Sequence, residues 1–103
     1  MASIVIFTRL TAVPGGRAGL LAAFAPLIDA VAGEPGTEVF AMHTARDDPD
    51  VVLFYEAYHD EAALAMHRES EAVQAVIPRL DDLLARPPEI TYARPADARS
   101  PSS

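Results

Sequence analysis

The sequence predicts an α+β fold: a ferredoxin-like four-stranded, mostly antiparallel sheet with its helices on one face. Three observations carry that prediction. Strand-type and helix-type runs follow one another in the order βα, two strands, then α and β. The two middle strands are separated only by Asp47-Asp48-Pro49-Asp50, a turn too short for anything but a hairpin. The chain has 103 residues and no Cys. A chain of that size buries roughly 60–70% of its unfolded surface, which supports one core without disulfide or metal staples. We therefore expect one unit over residues 1–95 and a disordered tail over 96–103, where "ADARSPSS" is poor in apolar residues.

The elements follow in order. Residues 3–13, "SIVIFTRLTAV", are rich in β-branched and aromatic residues and read as a strand, broken by "PGG". From Arg17 to Val31, Leu20, Phe24, Leu27 and Val31 recur at helical spacing. Pro26 falls inside that helix and predicts a kink near Ala22–Pro26. Residues 37–46 and 51–58, "TEVFAMHTAR" and "VVLFYEAY", are the hairpin strands. Asp60 is placed to cap the next helix, and Val73, Val76, Ile77, Leu80, Leu83 and Leu84 form a later apolar stripe that Pro78 should bend or restart. "PPEITYARP" supplies a last short strand, Glu89 to Arg94.

The first and third strands are apolar on both faces, whereas a sheet with one wet face should alternate. The helices cover one face only. A second copy of the chain, packed sheet to sheet, is the economical cover for the other, so a homodimer is expected.

Composition removes several classes. Net charge is −7, and all eight basic residues are scattered Arg, so no basic stripe exists for nucleic acid and no attraction to anionic membranes. The run "AGLLAAFAPLI" is far shorter than the roughly 20 residues of a membrane span. No signal peptide is read at "MASIVIFTRL", and the absence of Cys fits a cytoplasmic setting.

The stretch "EPGTEVFAMHTARDDPDVVLFYEAYHDEAALAMHRES", residues 34–70, resembles the antibiotic biosynthesis monooxygenase family. The resemblance is carried by Glu34-Pro35-Gly36, Asp47-Asp48-Pro49, Tyr55-Glu56, Asp60-Glu61-Ala62, and His67 with Ser70, with "PPEITY" similar to the family's last strand. It implies a dimer forming an α+β barrel and, as activity, cofactor-independent oxidation of a phenolic, quinol-like or polyketide-derived ring with molecular oxygen, without metal or other cofactor. The family also holds haem-degrading proteins and an isomerase of a signalling sugar phosphate. A non-oxygenase dimer that binds or isomerises a small metabolite is therefore the alternative. This chain has neither the Asn nor the Trp on which the haem-degrading and anthrone-oxidising members resemble one another.

Cofactor-free oxygenation needs a base for the ring hydroxyl and fixed donors in a dry pocket. His67, three residues after Leu64 on one helix face, should look inward and is the first candidate base. A histidine satisfied by a backbone carbonyl or a carboxylate at the helix–sheet seam is the competing reading. His43, among small residues on its strand, is the second candidate. Glu56 shares a strand face with Phe54 and Tyr58 and is either catalytic or a structural anchor, with Arg9 as its expected partner. Phe7, Phe24, Phe40, Phe54, Tyr58 and Met66 are the candidate substrate-binding residues, although such side chains at core spacing are usually core. No two His have the helical spacing of a zinc site, and no metal is expected.

Overall fold

The computed structural model describes residues 2–98. β1 (Ile4–Thr11) leads through Pro14-Gly15-Gly16 into α1 (Arg17–Val31). β2 (Thr37–Thr44) and β3 (Val51–Tyr58) form the hairpin. Then come α2 (Glu61–Glu69), α3 (Glu71–Val76), a 3₁₀ turn (Ile77–Arg79), α4 (Leu80–Leu83) and β4 (Glu89–Ala93). Strand order is β2-β3-β1-β4, and each neighbouring pair is antiparallel. This is the expected α+β, ferredoxin-like arrangement.

Local chemistry explains most boundaries. Asp60 Oδ1 accepts from Ala63 N at 2.9 Å, which caps α2. Ser70 ends α2 in an extended conformation and caps α3, its Oγ accepting from Val73 N. Pro78 sits at the start of the 3₁₀ turn, where a missing N–H costs nothing, and the apolar stripe restarts there as expected. The kink expected at Pro26 does not interrupt α1. The helix runs through, with Pro26 exposed and Leu20, Ala23, Phe24 and Leu27 buried. β1 stops at Thr11 rather than at residue 13, because Ala12 leaves the sheet to bridge Leu84.

Alternation sorts the sheet into two faces. Phe40, Glu56, Ile6 and Tyr92 stand side by side across the four strands and share the helix side with Phe54, Tyr58 and Leu10. The main core lies there, built from Leu10, Leu20, Phe24, Leu27, Val52 and Phe54. A smaller cluster of Ile6, Tyr58, Ala63 and Leu64 packs α2 onto the sheet. The opposite face carries Phe7, Arg9, Val39, His43 and Tyr55. No helix covers Phe7 and Tyr55, which remain 49% and 36% exposed and pack against each other at 5.5 Å between ring centroids. Residues 94–98 follow β4 without regular structure. The rest of the expected disordered tail, 99–103, lies outside the described residues.

Candidate functional site

Three parts of the chain converge beneath α2. The corner between α1 and β2 brings Glu34, β2 and β3 bring Phe40, Phe54, Glu56 and Tyr58, and α2 brings His67. Gly36 makes the approach possible. It has φ +84, and a Cβ placed there would lie 2.5 Å from Ala63 Cβ on α2. Its carbonyl accepts from His59 N at 2.8 Å, which closes the base of the hairpin beside the site.

His67 is the one buried polar or charged side chain among the described residues, at 5% exposure. Its ring lies between those of Phe40 and Tyr58, with centroids 5.0 and 5.3 Å away. Its Nδ1 is 2.8 Å from Glu34 Oε1, and Thr37 Oγ1 donates to the same oxygen at 2.9 Å. Glu34 Oε2 is buried with no hydrogen-bond partner. A carboxylate facing Nδ1 holds the ring proton on that nitrogen and leaves Nε2 as the lone-pair nitrogen. The carboxylate also stabilises the imidazolium that forms if Nε2 takes a proton.

Glu56 does not meet Arg9. In the β1–β3 register Arg9 stands opposite Leu53, on the other face, where it has distant partners in Asp48 and Glu89 at 3.9 and 3.7 Å. Glu56 instead accepts from the Tyr58 hydroxyl at 2.5 Å. Burial raises the Glu56 carboxyl above its ordinary value, and the Tyr58 hydrogen bond and the neighbouring His67 and Arg68 oppose that rise. Burial, then the bond to Glu56, push the Tyr58 hydroxyl far up. Tyr58 therefore stays a donor at any working pH.

A cavity of about 170 Å3 opens between the sheet and α1, α3 and the 3₁₀ turn. Phe24, Phe40 and Phe54 line its apolar wall, and Glu56 and His67 are its ionisable groups. Five of the residues singled out in the sequence thus meet around one space. Tyr58 is fully buried behind it, touching both Glu56 and His67. Phe7 and His43 are on the open face, where His43 Nδ1 lies 3.3 Å from Leu53 O. Met66 is exposed on α2, one residue and therefore about 100° around the helix from His67. The sequence reading missed Glu34 as a side chain of the site. It entered only through the "EPG" pattern, and its pairing with a residue 33 positions away has no local spacing signal. Among the described residues no group of three His, Cys, Asp or Glu is placed to hold a metal ion.

Similarity to known proteins agrees with this frame. Residues 3–79 match the antibiotic biosynthesis monooxygenase family, and the chain belongs to it. Rv0793 of Mycobacterium tuberculosis, which carries a provisional monooxygenase name, is 28% identical over 97 residues, covering 94% of this chain and 95% of that protein. Superposed on the solved Rv0793 structure, the chain gives a TM-score of 0.87 at 24% identity, covering 96% of this chain and all of the other. PA3566 from Pseudomonas aeruginosa gives 0.86 at 22% identity, with 94% and 97% covered. NE2512 from Nitrosomonas europaea, described as of unknown function, gives 0.83 at 26% identity, with 100% and 98% covered. No helix among the described residues is long and apolar enough to cross a membrane.

Proposed function

We propose that this chain is a cofactor-independent monooxygenase that oxidises a phenolic, quinol-like or polyketide-derived aromatic ring with molecular oxygen, working as a homodimer. The observation that carries the reading is a buried histidine, oriented by a partly buried carboxylate, on the wall of an apolar cavity. His67 Nε2 takes the ring hydroxyl proton, and Glu34 balances the charge that develops on the imidazole. The ring anion passes an electron to O2, and the two radicals join in a carbon–oxygen bond at a ring carbon that bears hydrogen, para to the ring oxygen or, where the para carbon carries a second hydroxyl, ortho to it. His67 returns its proton to the distal oxygen. Departure of hydroxide with the ring hydrogen then leaves a quinone and one water, so phenol plus O2 gives quinone plus water. The Phe walls exclude water from the anion.

The test is oxygen consumption by the purified chain with a panel of phenols and quinols, metal and flavin withheld. His67→Ala should lower kcat/KM by roughly 10²–10⁴-fold if His67 is the base. His67→Gln, which keeps a polar group against Glu34, should be comparably slow. Full turnover in both variants would remove His67 from the chemistry.

A second reading has one observation in its favour. Glu56 and His67 line the same cavity, and a carboxyl with a raised pKa beside an imidazole suits moving a proton between two carbons of a bound metabolite. Under nitrogen, an isomerase would exchange substrate hydrogen with solvent deuterium, which oxygenation alone would not require.

A further inference from the structure

The size of the cavity and the surface at its mouth limit what can bind, on the premise of the proposed function that the ring sits beside His67. A volume of about 170 Å3 is close to the roughly 150 Å3 that accepts one benzene. It holds one ring, and three fused rings exceed it. The mouth is apolar: Ile77 and Ile90 line it and are 50% and 48% exposed. An open cleft of about 440 Å3 adjoins it and shares Ile77, Leu80 and Pro88 with the cavity. Asp81 and Arg86 also line that outer cleft. The order along the path is thus a polar inner wall, a one-ring chamber, an apolar rim, and a mixed outer cleft with two charged groups.

We infer that the substrate is amphiphilic: a single hydroxylated ring carrying an unbranched apolar tail, the ring in the chamber and the tail leaving between Ile77 and Ile90 along the outer cleft. The rim is the part of the path that rewards a tail. Two large apolar side chains stand half-exposed there, and a hydrocarbon chain laid between them removes apolar surface of its own and of both side chains from water. Each methylene so buried should tighten binding about fourfold. The gain should stop once the tail reaches Asp81 and Arg86. A ring hydroxyl is the group that fits the inner wall, where Nε2 of His67 is left to accept from it.

The experiment is titration calorimetry on the full chain under nitrogen, so that binding is read without turnover. The probes are phenol, its meta-propyl, meta-pentyl and meta-heptyl derivatives, and anthrone, a three-ring compound of nearly the same carbon count as the heptyl derivative. Affinity should climb about fourfold per methylene, and heptylphenol should bind well above anthrone. Ile77→Asp should flatten the series, whereas a merely unfolded fraction would weaken every member equally and keep the slope. A flat series in the wild type, anthrone binding as tightly as heptylphenol, or an unchanged slope in Ile77→Asp each overturns the inference. Oxygen uptake is measured separately. A steep series without uptake overturns the oxygenase reading and leaves the amphiphile standing, and uptake with a flat series does the reverse.

Discussion

Glu34 and His67 are 33 residues apart in the chain and 2.8 Å apart in space, and the Glu34 oxygen that meets the imidazole also accepts from Thr37. The geometry makes Glu34 a positioning residue for the proposed base. Glu34→Gln keeps the shape and an acceptor oxygen but removes the charge that stabilises the imidazolium. We expect kcat/KM to fall roughly 10²-fold, mainly in kcat, with KM nearly unchanged. Steady-state kinetics on whichever phenol supports oxygen uptake decides this. A loss confined to KM would mean that Glu34 serves binding alone.

Glu56 gives a pH signature. Burial, the largest influence, raises its carboxyl above the ordinary 4.5, so the folded chain holds that proton more tightly than the unfolded chain. Its stabilising contribution is full below the unfolded value and is lost as pH rises through the raised one. Glu56→Gln keeps an acceptor for Tyr58 and cannot ionise. Melting curves taken between about pH 4 and pH 8 should show the variant gaining on the wild type as pH rises. Parallel curves would mean that Glu56 titrates alike in folded and unfolded chains.

Two glycines with positive φ separate backbone strain from contact. Gly15, φ +77, has open space where a Cβ would go, whereas Gly36, φ +84, has Ala63 Cβ 2.5 Å away. Gly15→Ala should cost about 1–2 kcal/mol, the left-handed penalty alone. Gly36→Ala adds overpacking against α2 and should cost about 2–5 kcal/mol in total. Urea unfolding of both variants measures the difference. Equal costs would show that the α2 contact relaxes freely.

The open sheet face predicts assembly. If a second copy covers Phe7, Tyr55 and Val39, light scattering should give a dimer, with an interface above about 1,000 Å2. Phe7→Asp should shift it to monomer, and Met66→Asp, a change on exposed α2 surface, should not. A wild-type monomer at micromolar concentration would remove the second copy from the proposal.

The fold was legible because its signals are local. β3 ends where the sequence placed it, between the Pro49 turn and the Asp60 cap, and α1 spans the predicted Arg17–Val31. His67 faces inward because it shares a helical stripe with Leu64, and three residues suffice to read that. Phe7 and Arg9 were harder. "IVIF" is apolar on both faces, so nothing in it says which of Ile6 and Phe7 looks at the helices, and the register that sets Arg9 opposite Leu53 is a property of two strands. Glu34 was the least legible, since its partner is chosen by the docking of α2 on the corner before β2.

The hydrogen bond from His59 N to Gly36 O ties the two ends of the hairpin together between Glu34 and His67. The segment from residue 34 to residue 67 therefore works as a closed ring with the Glu34–His67 pair at its clasp. Rings of this kind come undone at the clasp before the body melts, because a few contacts at a glycine corner open at lower free energy than a paired sheet. Heat inactivation should accordingly run ahead of the loss of secondary structure. The half-life of the proposed activity would then be set by one corner of the chain, whatever the stability of the whole.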